Sequence, residues 1–430
     1  MNRDILRLAI PNIISNITVP LLGLVDMAIV GHLDSENYIG GIAIATTVFN
    51  FIYWNFAFLR MGTSGFTAQA YGAENKQEQA NILLRSLAVA AVSAIVILAL
   101  QYFILRFGFF ILDAGEEVKE YAQLYFRIYI WAAPAILGMY AFNGWFVGMQ
   151  DAKTPMFIAI GINVINIALS LFFVYVLGMK IEGIALASVC AQYSGLIAAA
   201  STCLVKYKAL RAFIDLNVLK QIAGYKAFFK VNTDIFIRTL ALVAVTTFFV
   251  SVSTKQGDDI LAVNALLMQL FILFSYFMDG FAYAAEALTG KFVGAKKKEV
   301  LGLLARQLFK WGAVIVVLFS IAYGAFFDQI LAVLTDKETI KTMAKDYQVW
   351  IVLIPICGVS AFLWDGIFIG ATASKQMRNS MLVAAGTFFG MYYAFSIHLT
   401  NNFLWIMFLS YLAMRGIIQF FLYPSVYKKL

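Results

Sequence analysis

Twelve runs of about 20 predominantly apolar residues, each long enough to cross a hydrocarbon core as a helix, dominate this chain and restrict what it can fold into. They fall at roughly 8–31, 40–66, 83–112, 121–147, 155–178 and 182–205, then at 228–253, 260–288, 301–327, 345–371, 380–398 and 402–424. With 62% hydrophobic and 13% charged residues over 430 positions, the chain departs from a soluble domain, which is about half apolar and a quarter charged. It is therefore expected to be an all-α integral membrane protein. Soluble enzymes, disulfide scaffolds and disordered chains are excluded on the same ground.

The longest polar stretch between runs, 206–227 (KYKALRAFIDLNVLKQIAGYKA), divides them into six and six. The expected layout is an N-lobe at 1–205, a linker at 206–227 and a C-lobe at 228–430. Twenty of the 32 lysines and arginines fall in the two termini, the even-numbered loops and the linker, against seven in the odd loops. The positive-inside rule then places both termini and the linker in the cytoplasm, in a multi-pass inner cell-membrane protein. The same rule accounts for the net charge of +8 without a nucleic-acid partner. MNRDILRLAI runs straight into the first span and does not read as a cleavable signal. Cys190, Cys203 and Cys357 are expected to be free and buried.

The halves repeat at an offset of 222. Gly72-Ala73 and Lys76 match Gly294-Ala295 and Lys298, Gly144-x-Phe146-x-Gly148 matches Gly366-x-Phe368-x-Gly370, and Lys153 matches Lys375. Two pseudo-symmetric six-helix bundles follow, the layout of transporters that rock one bundle against the other. The two GxxxG motifs suggest close helix packing.

An ionisable group inside a span must face a bundle interior or a watery cavity. Asn12, Asn16, Pro20, Gly23 and Asp26 share an arc of about 120° on the first span, with Pro11 and Pro20 making that helix a candidate for bending. Asn163, Asn166 and Ser170 share a face of the fifth span. Should these faces meet, one carboxylate would sit among amides and hydroxyls and could exchange a proton, or the same oxygens (Asp26, Asn163, Asn166) could hold Na+; the proton is favoured because one carboxylate is thin provision for a cation. In the second half, Ser275, Asp279 and Glu286 share a face of the eighth span, and Asp365 stands in the tenth where the first half has Asn143. These are candidates for a secondary polar or substrate cavity, with solvation the alternative for Glu286. Asp234 and Arg238 read as an i,i+4 ion pair. Met27, Met139 and Met278 are candidate linings of an adaptable apolar pocket. Arg60 and Arg415 have no partner assignable from sequence. No Walker A motif occurs, and His32 and His398 at span ends offer no metal site or catalytic dyad.

PNIISNITVPLLGLVDMAIVGHL, LRMGTSGFTAQAYGA, APAILGMYAFNGWFVGMQDAKTPM, VNTDIFIRTL and YFMDGFAYAAEALTGKFVGA together resemble the multidrug and toxic compound extrusion (MATE) family, the last two its DinF-like branch. The resemblance runs over nearly the whole chain. It implies a cation-coupled efflux antiporter with a V-shaped cavity between two lobes, and a coupling proton taken by a first-helix acid, matched here by Asp26. It places Asn166 on a family asparagine and Ser170 where many members have a second aspartate, a departure that leaves Asp26 with more of the coupling role. It also puts Tyr140 beside this cluster and Pro11 at the point where the first helix bends in some members.

The expected function is a proton-coupled antiporter that exports amphipathic, cationic compounds by alternating access, as a monomer and without a cofactor. Protonation of Asp26 would release hydrogen bonds to Asn163, Asn166 and Tyr140 and let the first helix bend. Two alternatives stay open at this point. One is a lipid-linked oligosaccharide flippase of the same superfamily, for which more spans and a more cationic cavity are expected. The other is a membrane enzyme, for which the polar groups are too dispersed.

Overall fold

The computed structural model describes residues 1–31, 37–111, 115–395 and 400–429. Both histidines, His32 and His398, lie outside them. The described chain is built from helices: α1 (Asn2–Gly31), α2 (Asn37–Asn55), α3 (Ala57–Gly72), α4 (Lys76–Ile111), α5 (Glu116–Tyr129), α6 (Ala133–Gly148), α7 (Lys153–Leu171) and α8 (Ile181–Lys206), then α9 (Ile222–Thr254), α10 (Asp258–Gly294), α11 (Lys298–Ala325), α12 (Phe327–Leu334), α13 (Glu338–Lys345), α14 (Gln348–Gly370), α15 (Ser374–Phe395) and α16 (Asn401–Lys429). Counting α2 with α3 and α5 with α6 as single spans, and setting aside the short helices α12 and α13, this gives the twelve-helix architecture. Ten of these spans are long and apolar enough to cross a membrane among the described residues.

Two spans are broken for local reasons. The second turns at Phe56, where the Asn55 amide donates back to the Phe51 carbonyl (2.5 Å) and competes with the helical ladder. The fourth passes through a 3-10 turn at Ile130–Ala132 before Pro134, which stands in the first turn of α6, where a missing N–H costs the helix nothing. By contrast α1 runs unbroken through Pro11 and Pro20.

Contacts divide the chain into two compact units, Ile14–Phe229 and Lys230–Leu430 together with Met1–Ile13. The boundaries differ from those expected by sequence at both ends. The linker belongs to the first unit because it packs on α4: the Gln77 amide donates to the Phe213 carbonyl (2.9 Å), and Gly224 lies so close to the Arg85 guanidinium that a Cβ would come within 2.3 Å of it. Residues 1–13 belong to the second unit, where a Cβ on Gly280 of α10 would stand 2.9 Å from the Ala9 carbonyl of α1.

Within each unit the same contacts recur at the offset of 222. A Cβ at Gly144 would strike the Arg60 carbonyl at 2.3 Å, and one at Gly366 would strike the Ala282 carbonyl at 2.2 Å. Gly148 abuts the Ser64 carbonyl as Gly370 abuts that of Glu286. Each GxxxG face thus lets two helix backbones touch, α6 on α3 and α14 on α10, as small residues permit in a membrane bundle. The caps repeat as well. Glu74, Gln150, Lys296 and Thr372 all take positive φ, at 56°, 64°, 56° and 52°, and each closes a helix C-terminus with the same pair of backbone bonds, such as Glu74 N–H to Tyr71 and Asn75 N–H to Ala70.

The turn after α6 is tied to the end of α8. Asp151 accepts from the Thr154 hydroxyl (2.6 Å), the Lys206 ammonium (2.6 Å) and the Tyr207 hydroxyl (2.9 Å), and from the Thr154 N–H (3.2 Å) that opens α7. Burial opposes the charge on this carboxyl, but the donors, Lys206 first, outweigh it and hold the group below its ordinary 3.8. Because the folded value is depressed, the cluster contributes fully above the ordinary value and is lost as pH falls through the lowered one. Asp151→Asn is expected to cost about 2 kcal/mol at neutral pH, read as thermal unfolding in detergent, and to flatten the decline of wild-type stability below pH 4. An acid limb unchanged by the substitution would contradict this role.

Candidate functional site

Asp26 sits in the second turn from the described end of α1, facing a pocket of tyrosines contributed by α2, α5, α6 and α8. Its Oδ1 is buried and accepts no hydrogen bond among the described residues. The Tyr125 and Tyr129 hydroxyls of α5 lie within electrostatic range of the carboxylate. The Tyr53 hydroxyl of α2 lies in range of those two and of Tyr140 and Tyr193, and is itself buried without a hydrogen-bond partner. Phe49 closes the pocket, edge-on to Tyr129 at 4.7 Å and stacked on Phe126 at 4.9 Å. A carboxylate placed here loses water and gains only neutral phenols. Phenol hydroxyls are neighbours able to donate to it when it is charged.

The polar face of the fifth span reaches this pocket by a relay. Asn163 of α7 donates to the Thr18 carbonyl of α1 (3.0 Å), off the polar stripe and about two turns from Asp26. Asn166 donates to the Ser188 hydroxyl of α8 (2.8 Å), and Ser170 donates to the Asn166 carbonyl oxygen (3.3 Å). Ser188 in turn lies within interaction range of the Tyr125 hydroxyl. The direct hydrogen bonds expected between Asp26 and Asn163 or Asn166 are not formed among the described residues: both amides donate elsewhere. The sequence reading missed Tyr53, Tyr125, Tyr129 and Ser188. Tyr121, Tyr125 and Tyr129 recur every fourth residue, a stripe that could have pointed to them.

In the second unit the structure rearranges the expected polar cavity. Asp365 is buried and clamped by three side chains: the Arg238 guanidinium, the Arg415 guanidinium (2.6 Å) and the Gln419 amide (2.5 Å). It is an arginine-bound structural carboxylate. The Asp234–Arg238 pair expected from i,i+4 spacing is not made either. Arg238 turns to Asp365, and Asp234 takes the Arg378 guanidinium (2.6 Å) and the Ser374 hydroxyl (2.8 Å). Arg415 also finds the partner that sequence could not assign. Glu286 is fully buried, which removes the solvated reading. Asp279 is half-buried beside Tyr276.

The remaining candidates divide. Met139 and Met278 are buried in the packed cores of their units, at 6% and 0% exposure, so they line no open pocket; Met27 is 44% exposed. Asn16 is half-buried, and the Asn143 Oδ1 is buried without a hydrogen-bond partner. Asn12 spends its amide on its own helix, at the Leu8 carbonyl (2.8 Å). Cys190 is exposed and Cys203 and Cys357 are half-buried, contrary to the expectation of full burial. Among the described residues no group of three or more His, Cys, Asp or Glu converges as a metal site would require.

Comparison with known proteins agrees with this architecture. A family model described as MatE matches residues 11–172 and 235–395, once in each half of the repeat. The DNA damage-inducible protein F of Escherichia coli (strain K12) is 38% identical over 96% of this chain and 89% of its own length. Multidrug and toxin extrusion protein 1 of Danio rerio is 24% identical over 90% of this chain and 65% of its own. Among solved structures, the crystal structure of MATE in the bent conformation superposes with a TM-score of 0.87 at 22% identity, over 99% of this chain and 96% of that one. The outward-facing conformation of a multidrug resistance MATE family transporter of the MOP superfamily gives 0.86 at 22% identity, over 100% and 96%. At that identity the structural likeness shows the fold alone.

Proposed function

The chain belongs to the MatE family of multidrug and toxin efflux transporters, and from that premise we propose that it is a proton-coupled antiporter in which Asp26 carries the coupling proton. The observation that supports this reading is the Asp26 carboxylate, buried at one oxygen without a hydrogen bond and faced by phenols. Asp365 and Asp234, by comparison, are held by arginines. A proton needs one basic oxygen; Na+ needs several oxygen ligands. The Asn166 carbonyl oxygen already accepts from Ser170, and the single carboxylate nearby is Asp26. This favours the proton over Na+.

In the proposed cycle, a proton entering from the outward side neutralises Asp26 and weakens its hold on the Tyr125 and Tyr129 hydroxyls. Through Tyr125 the change reaches Ser188, Asn166 and Ser170. The boundary between the compact units falls between Ile13 and Ile14 of α1, flanked by Pro11 and Pro20, which remove the N–H donors that would have met the Arg7 and Asn16 carbonyls. Bending of α1 there would couple the pocket to the rocking of one lobe on the other. The substrate is an amphipathic, cationic compound. The protein works as a monomer in the cytoplasmic membrane, with both termini and the linker inside.

The test is a reconstituted vesicle assay with an amphipathic dye cation. An imposed pH gradient should drive dye exchange and an imposed Na+ gradient at equal pH should not. Drive by Na+ alone would overturn the proton reading.

A further inference from the structure

At the end of α4 and α5, on the surface of the first unit, two arginines stand in an apolar setting. Arg106 and Arg127 line a cleft of about 730 Å³ together with Gln101, Gln123 and Tyr102. Neither guanidinium makes an ion pair among the described residues, and the contact recorded for Arg106 is with the face of Tyr102, at 5.5 Å. Arg106 also closes the end of a second, apolar cleft of about 690 Å³ walled by Leu100, Phe103, Ile104 and Phe107. Phe103 and Phe107 are 66% and 60% exposed. They continue an exposed apolar stripe that runs down α4 through Val92, Ile95 and Val96, as a helix face in contact with lipid does.

The depth of these arginines follows from helix geometry. Arg85, on the same helix, lies against the linker at Gly224, and the 21 residues from Arg85 to Arg106 rise about 32 Å, close to the thickness of a bilayer's hydrocarbon core. Arg106 therefore sits near the hydrocarbon boundary opposite the linker, and Arg127 lines the same cleft from α5. Two unpaired guanidiniums there face headgroups, and the fork geometry of arginine suits a phosphate diester bound through two oxygens. Gln101 and Gln123 supply neutral amide donors beside them, and the adjoining apolar cleft has the character of a berth for an acyl chain.

We propose that the α4–α5 cleft is a specific site for an anionic glycerophospholipid, its phosphate on Arg106 and Arg127 and one acyl chain along Phe103 and Phe107. The occupant is a lipid and not a free anion because the phosphate subsite and the apolar cleft share Arg106. It is anionic because no carboxylate pairs with either guanidinium among the described residues, and an anionic headgroup compensates one of the two positive charges where a zwitterionic one, bringing its own ammonium, compensates neither. The site is independent of the proton-coupling reading, since no residue of the Asp26 pocket takes part in phosphate binding.

The test is titration of the purified, delipidated protein in a non-ionic detergent, read by native mass spectrometry as saturable addition of lipid. Phosphatidylglycerol is expected to add one tightly held molecule, with phosphatidylcholine of the same chains at least tenfold weaker. Arg106→Gln with Arg127→Gln should abolish that difference, while Phe103→Ser should weaken both lipids and leave their ratio unchanged. Thermal unfolding of each variant without lipid checks that it is folded; should the double variant not fold, Gln101→Ala with Gln123→Ala provides the second route, expected to weaken phosphatidylglycerol alone. Equal retention of the two lipids by the wild type overturns the proposal: the arginines then merely extend toward any headgroup. Competition by millimolar inorganic phosphate as effective as that by phosphatidylglycerol would also overturn it, as a free-anion site.

Discussion

Asp26→Asn is expected to reduce pH-gradient-driven dye exchange to the level of protein-free vesicles while the protein folds and inserts normally. Asparagine fills the same volume and, at a half-buried position lacking a charged partner, should change stability by no more than about 1 kcal/mol. What it cannot do is alternate between charged and neutral forms. The Asn166→Ala and Tyr125→Phe variants should retain exchange at reduced rates, because each breaks one step of the relay between Asp26 and α7 without removing the titrating group. The decisive measurement is proton release from vesicles on addition of substrate. A full-sized proton signal from Asp26→Asn would mean that the coupling proton is carried elsewhere, and the buried Glu286 would then be the first place to look.

Asp365→Leu is expected to be the most damaging single substitution for folding, at about 3–5 kcal/mol, the cost of leaving a buried ion pair without one of its partners. Here the loss strands two guanidiniums at once. Arg415 is 3% exposed and Arg238 9%, and the Nε of each already lacks a hydrogen-bond partner. The faces of Phe362 and Tyr411, 5.9 and 5.8 Å from the Arg415 guanidinium, moderate its charge without neutralising it. The triple change Asp365→Leu, Arg238→Met, Arg415→Met should recover most of the lost stability, since an apolar cluster of similar volume substitutes well for a buried ionic one. Thermal unfolding in detergent measures both. If the single variant unfolds within a degree or two of wild type, the three groups are not a buried cluster in the folded protein.

The sequence determined what is governed by one-dimensional patterns. Apolar runs of span length gave the twelve helices, because a bilayer admits few alternatives to a helix that satisfies its own backbone. The identities at an offset of 222 gave the repeat, and Gly144, Gly148, Gly366 and Gly370 gave the contacts where helix backbones touch, since only residues without a Cβ leave that room. The fifth-span stripe placed Asn166 and Ser170 together, and they do bond to each other, because residues on one helix face stay together whatever the face meets.

Tertiary structure alone decided which side chains meet across helices. Asp234 and Arg238 lie one turn apart on α9, yet each bonds to another helix, Arg378 on α15 for the one and Asp365 on α14 for the other, because their faces look onto different neighbours. Asp365 could not be distinguished from Asp26 by sequence: both are lone carboxylates deep in a span, and only packing brings two arginines to the first and tyrosines to the second. Tyr53, Tyr125 and Tyr129 read as ordinary aromatic filling until α2 and α5 are folded against α1. The compact-unit boundary moved into α1, at Ile13, for the same reason. A helix is continuous along its own backbone bonds, but the unit each turn belongs to is set by the helices it packs against, and those lie hundreds of residues away in the chain.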